Sequence, residues 1–402
     1  MKKNFKRKVL KNGLTVVFEK RDIPVVSMAF AVRSGGINES IDEKGISHFI
    51  EHMLYKGTKN RSSRQIAEEI ERKGGEINGF TSEDLTAFYC KLPSKHAKVG
   101  LDVLTDIMKN SLFLEKELEK ERKVIFEEIK MRKDNPQIYV SDKIQNLLYE
   151  TPFGSDLIGT YKSMNSINRN KILERFEEVY VPENMILCVV GDCDFNKIVN
   201  FCEKNFEKKK VKNNSFKIIK KNLSKVEKRE GINQANLILA FHSPLAKNEK
   251  SYAAEVLMTL MAGGMSSRLF HEIREERNLA YGIKGHTNIS KNYSYSIIYV
   301  GTTKDKVKKV KELILEEFHK VSKELDENEL NQVKEQLIGN HQISMEDSQT
   351  QMINLLLTEI ESNASKFYDF EKKISEVKLI DVKKLASKVK GKNYSFFALI
   401  PK

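Results

Sequence analysis

The chain has 402 residues, 40% hydrophobic and 31% charged, a globular composition too long for one ordinary core and read as two or more domains. Its formal charge is +13, but the lysines are spread out and not interleaved with aromatics, so they read as a solvated surface and no nucleic-acid partner is expected. No apolar run approaches the roughly 20 residues that span a bilayer, and no apolar segment follows the basic start Met1-Lys2-Lys3, so neither membrane insertion nor secretion is expected and a cytoplasmic location is.

In chain order, Val9 to Phe18 reads as a hairpin, with Asn12-Gly13 as the turn between β-branched and apolar residues. A strand follows from Val25 to Arg33, closed by Gly35-Gly36. A helix is expected from near Glu43 past Tyr55, and an amphipathic helix from Ser63 to Lys73 with Ser63 as a cap. A long strand reads from Glu76 to Leu92, ended by Pro93, with helices over Lys95 to Lys109 and Glu115 to Lys133. A strand at Met185 to Val190 and a helix at Phe195 to Asn205 complete the first half. The Lys-, Asn- and Ser-rich stretch from Lys208 to Ser224 marks a linker, placing an N-terminal domain at 1–210, the connection at 211–225 and a C-terminal domain at 226–402.

The second half repeats the order: strand Gln234 to Phe241, helices over Lys250 to Met261 and Ser267 to Glu276, a strand region Ala280 to Gly301, two more helices and a closing strand Ser395 to Ile400. The echo of pattern implies an internal duplication. Mixed strands, helices and hairpins imply an α+β class: two similar halves, each a largely antiparallel sheet with helices on one face. Cys90, Cys188, Cys193 and Cys202 form no C-x-x-C pair and read as thiols in a reducing compartment. Gly74-Gly75 and Gly263-Gly264 match no dinucleotide fingerprint.

The chemistry concentrates in His48-Phe49-Ile50-Glu51-His52, an H-x-x-E-H pattern in a chain with only 8 histidines. Residues four apart share a helix face, so His48 and His52 can aim both imidazoles at one ion. Glu51 flanks that ion without ligating it and can take a proton from water. Ile46, Phe49, Ile50, Met53 and Leu54 make the helix apolar nearly all round, and a buried helix does not carry two histidines and a glutamate unsatisfied. A catalytic zinc needs a third protein ligand, with Glu121, Glu127 and Glu128 as candidates on a later helix. His96, His242, His271, His286, His319 and His341 show no ligand spacing.

These residues resemble the pitrilysin/insulinase family of zinc peptidases, in particular the short branch similar to the mitochondrial processing peptidase, over nearly the whole chain. The resemblance implies one Zn²⁺ per chain, held by His48, His52 and Glu128, which stands 76 positions after His52. It implies that Glu121, seven positions earlier, supports the site, and that Glu51 is the general base. Gly74 to Ser82 resembles the family's edge strand, which pairs with extended substrate by β-augmentation, so Asn78, Phe80 and Thr81 are its expected substrate contacts. Arg274 and Tyr281 resemble the family's arginine–tyrosine pair, which steadies the oxyanion. A single chain is half of the family's closed chamber. The resemblance therefore implies a homodimer acting on peptides or unfolded segments, with Arg274 and Tyr281 serving the partner's zinc. The competing expectation is a noncatalytic interaction subunit on the same fold, as in respiratory-complex core proteins, which generally lose part of the motif.

Overall fold

At Asn12-Gly13 the chain reverses as its chemistry dictates: Gly13 takes φ +95°, and a Cβ there would stand 2.8 Å from the Glu183 backbone. The turn joins strand β1 (Phe5–Val9) to β2 (Thr15–Lys20), and Asn12 Nδ2 donates to Phe206 O at 2.8 Å. The computed structural model describes residues 4–212 and 214–402; Met1-Lys2-Lys3 and Asn213 of the expected linker lie outside the described residues.

The remaining strands of the first half are β3 (Val25–Val32), β4 (Glu76–Thr81), β5 (Thr86–Pro93) and β6 (Met185–Gly191). Those of the second half are β7 (Ser224–Arg229), β8 (Ala235–His242), β9 (Gly282–Ile289), β10 (Ser294–Thr302) and β11 (Ser395–Pro401). The first sheet has the order β1-β2-β6-β3-β5-β4 and the second β7-β11-β8-β10-β9. Apart from β1, the two orders are the same when each half's strands are counted from its start. In both, the first strand pairs parallel to the last (β2 with β6, β7 with β11) and the other pairs are antiparallel. The duplicated, largely antiparallel α+β architecture is thus present in the topology itself.

Several expectations need correction. The long strand expected over Glu76 to Leu92 is the β4–β5 hairpin, turned at Ser82-Glu83-Asp84 where Ser82 N–H donates to Leu85 O at 2.8 Å. Likewise Ala280 to Gly301 is the β9–β10 hairpin. Helices also cover both faces of each sheet, not one. In β2, β3 and β6 nearly every residue is buried, so both faces are apolar and both need cover. One face of the first sheet packs the Ile46–Leu54 and Ala97–Asn110 helices. Against the other, Val17, Ala29, Ile186 and Cys188 meet Met352, Leu355 and Leu356 of the Ser348–Glu361 helix. Conversely, the Pro136–Leu148 helix lies on β8 and β11, with Tyr139 edge-on to Phe397.

The compact units therefore interleave along the chain. The first comprises residues through Ile129, Leu157–Lys217 and Ser344–Tyr368; the second comprises Lys130–Asp156, Ile218–Ile343 and Asp369–Lys402. The contiguous spans 1–210 and 226–402 omit this exchange of covering segments. One of the unit boundaries, between Lys217 and Ile218, does fall in the expected linker. The cysteines are free thiols, and no described helix is long and apolar enough to cross a membrane.

The Ile46–Leu54 helix lacks a side-chain cap of its own: its cap position is Gly45, at φ +93°. Glu39 replaces it from a neighbouring turn, accepting from Gly45 N–H at 2.9 Å and Ser47 N–H at 2.8 Å. Buried Lys44 lies 3.8 Å from Glu39 and 3.6 Å from Glu83, and donates to Gly36 O at 2.8 Å. One buried charge cluster thus ties the helix N-terminus to the β4–β5 turn. Glu39→Ala removes two charge-assisted bonds beside a buried ammonium and is expected to destabilise the protein by about 2–4 kcal/mol. Thermal unfolding checks this; an unchanged midpoint contradicts it.

Candidate metal centre

Helix geometry sets the centre. His48 and His52, one turn apart, present their Nε2 atoms to each other at 3.3 Å. The carboxylate comes from the Glu115–Asp134 helix, which places Glu121, Ile125 and Glu128 along one face. Arg122 anchors that helix: its Nη2 donates to Ile167 O at 2.9 Å, and its guanidinium lies 5.3 Å over the Phe49 ring. Glu128 Oε2 stands 3.4 Å from His48 Nε2 and 3.7 Å from His52 Nε2. Glu127, one residue away, is exposed. Among the described residues, the grouping able to hold a metal ion is His48, His52 and Glu128.

The residues fit zinc by their donor set and spacing. Two ligand atoms at about 2.0–2.1 Å from a tetrahedral ion stand about 3.3–3.4 Å apart, close to the separations found here. Two facing imidazole nitrogens and a carboxylate oxygen are an N₂O donor set of catalytic type, which leaves room for a further ligand.

The surrounding residues orient these donors. Glu121 Oε2 accepts from His52 Nδ1 at 3.1 Å, which directs the Nε2 lone pair of the neutral ring at the metal position. Lys56 Nζ lies 2.7 Å from Glu121 Oε1 and holds the other end of that carboxylate. Burial alone would raise the Glu121 carboxyl, but the bonds from His52 and Lys56 outweigh it and hold it below the ordinary range. Burial lowers His52, yet its bonds to Glu121 and Glu128 prevail and push it up to about 9. The Glu51 carboxyl is raised by burial, opposed by a hydrogen bond from Thr81 and the charge of His52, and further raised by Glu128.

The other expected site residues divide by strand face and by unit. Thr81 Oγ1 donates to Glu51 Oε2 at 2.6 Å, so its hydroxyl is turned toward the centre. Asn78 and Phe80 alternate onto the opposite face of β4, where Phe80 lies 6.3 Å from the Tyr89 ring. Asn78 Oδ1 accepts from Gly79 N–H at 2.8 Å. β4 is the edge of its sheet. Arg274 and Tyr281 belong to the second unit, whereas the metal cluster belongs to the first. Arg274 lies in a π-helical turn, Phe270–Glu275, in place of the regular helix expected there, with its guanidinium 4.7 Å over the Phe270 ring. Tyr281 is 61% exposed and its N–H donates to Gly301 O at 2.9 Å. Sequence reasoning did not single out Lys56, Glu39 or the bond from Thr81 to Glu51; the only signal was the two-residue period that puts Gly79 and Thr81 on one side of β4.

Residues 15–161 match the family model for insulinase, peptidase family M16, and residues 166–337 match that for the peptidase M16 inactive domain. A Rickettsia felis relative named an uncharacterized zinc protease is 33% identical over 85% of this chain and 84% of its own length. The Bacillus subtilis relative, uncharacterized zinc protease YmxG, is 32% identical over 86% of both chains. A protease structure from Helicobacter pylori superposes with TM-score 0.90 at 24% identity, covering 99% of both chains. A peptidase M16 inactive domain from Pseudomonas fluorescens gives 0.88 at 19% identity, covering 99% of this chain and 98% of that one. At these identities the two structures establish the fold alone.

Glu121→Gln is expected to weaken zinc binding by about 10- to 100-fold in chelator competition while the fold is kept. His52 titrates near 9 without metal and must be neutral to ligate, so zinc affinity should rise with pH up to about 9. Calorimetry in buffers of different ionisation enthalpy should show about one proton released per zinc at pH 7. Binding independent of pH would contradict the assignment of His52.

Proposed function

The chain belongs to the insulinase family of peptidases, M16, and from that premise we propose that it is a zinc-dependent endopeptidase hydrolysing peptides or unfolded segments. The observation that carries the reading is the convergence of His48, His52 and Glu128 with Glu51 beside them. The relatives' names, as zinc proteases, support the choice of metal. With His48, His52 and Glu128 as its ligands, zinc would supply Lewis acidity toward the scissile carbonyl and toward water.

The side chains do the rest. Glu51 accepts a proton from the attacking water and passes it to the leaving amine nitrogen, and its burial brings its basicity closer to neutral pH. The β4 edge pairs with an extended substrate through main-chain groups, and Asn78 and Phe80 touch its side chains. Arg274 and Tyr281 donate hydrogen bonds to the oxyanion. They do so across a homodimer, each pair serving the partner subunit's centre in a closed chamber. The full set of motif residues in this chain favours catalysis over a purely structural subunit. A cytoplasmic setting suits the free thiols.

Glu51→Gln should retain zinc while turnover of a quenched peptide falls by about 10²–10⁴-fold. Full activity in that variant would remove the base from the mechanism. Mixing Glu51→Gln chains with Arg274→Ala chains, each inactive alone, should restore about a quarter of native activity, since each mixed dimer keeps one intact centre. No recovery would mean that Arg274 acts within its own chain.

A further inference from the structure

A glutamate used as a base must hold one carboxylate oxygen toward water, yet its side chain has three rotatable bonds. Burial of the helix face does not select among the resulting orientations. In this protein a second element does. Thr81 Oγ1 donates to Glu51 Oε2 at 2.6 Å, a short bond to a carboxylate and strong for that reason. We propose that Thr81 is a positioning residue for Glu51, fixing one carboxylate oxygen so that the other is presented to the attacking water. This deepens the peptidase reading and rests on it.

The geometry around Thr81 suits such a role. Threonine is β-branched and stiff at χ1, so its hydroxyl direction follows the backbone. That backbone is held by the turn that follows it: Gly36 N–H donates to Ser82 O at 3.1 Å and Ile37 N–H to Glu83 O at 2.9 Å. Thr81 is also paired with Thr86 of β5, whose Oγ1 donates to Ser34 O at 3.0 Å. Two residues earlier, Gly79 presses the same face of β4 onto the base. A Cβ at Gly79 would stand 3.4 Å from Glu51 Cγ and 2.7 Å from Tyr55 Oη. Gly79 therefore bounds the stem of Glu51 and Thr81 its head group. Both lie on the edge strand that would receive the substrate, so the base and the substrate register share one rigid reference.

Asn78, on the other face, is not part of this arrangement. One strand thus carries two roles: contact with substrate on the Asn78 and Phe80 side, and orientation of the base on the Gly79 and Thr81 side.

The test compares zinc-loaded native protein with Thr81→Val, Thr81→Ser and Thr81→Ala, using an internally quenched peptide, zinc analysis and crystal structures of each. Thr81→Val and Thr81→Ala should lower kcat by roughly a hundredfold, with KM and zinc content near native. Thr81→Ser, which keeps the hydroxyl, should stay within a few-fold of native. The crystals should show the Glu51 carboxylate displaced in the valine and alanine variants and in place in the serine variant. A raised KM with native kcat would overturn the proposal and make Thr81 a substrate contact, and so would an undisplaced carboxylate. Should Thr81→Val fail to fold, Thr81→Ala carries the same comparison. A native protein that binds zinc but cleaves no peptide would sink the peptidase reading, while the crystals would still decide whether Thr81 orients Glu51.

Discussion

Three donor atoms from two helices, held within 4.8 Å of one another, are the constraint around which the first unit is arranged. The grouping draws two imidazoles and a carboxylate partly out of water, a cost that the bonds of His52 to Glu121 and Glu128 offset. Other interactions resist its collapse. Glu39 and Lys44 fix the start of the histidine helix, and Arg122 locks the Glu128 helix through backbone carbonyls and the Phe49 ring. Lys56 and Glu121 set the ring of His52. A site preorganised in this way would lose little on binding an ion.

The fold supplies the rigid frame in a way that depends on exchange between the halves. Each sheet is apolar on both faces, and the helix that closes the second face comes from the opposite half of the chain. The Ser348–Glu361 helix is held by Glu359, which receives a bidentate pair of bonds from Arg7 at 2.8 Å each. That contact ties β1, the strand with no counterpart in the second half, to a segment more than three hundred residues away. The identical strand order of the two halves, with one parallel pair at the same place in each, indicates that the exchange was built on a duplicated unit.

Local chemistry explains what the sequence made legible. The Asn12-Gly13 turn, strands β3, β6, β8 and β11 and the H-x-x-E-H helix are short-range patterns and were readable as such, whereas β7 carries no apolar alternation and was not expected. Glu128 was one of three acidic candidates on residue type alone, and the family spacing chose it. The covering helices Pro136–Leu148 and Ser348–Glu361 were not expected from the sequence, and nothing near Pro136 or Ser348 states which sheet their apolar faces will meet. The two hairpins were merged because Ser82 to Asp84 and Ser290 to Asn292 carry no glycine or proline to mark a turn. Lys56 and the bond from Thr81 to Glu51 were hidden for a different reason: they depend on the direction of one side-chain atom toward a distant helix, which no period encodes.

The chemistry of the site depends on where a metal ion binds. Diffraction from zinc-grown crystals on either side of the zinc absorption edge locates the ion without reference to activity. It should give one anomalous peak per chain, within about 2.0–2.2 Å of His48 Nε2, His52 Nε2 and an oxygen of Glu128. A peak elsewhere, or none between these three side chains at full zinc loading, would contradict this assignment of ligands.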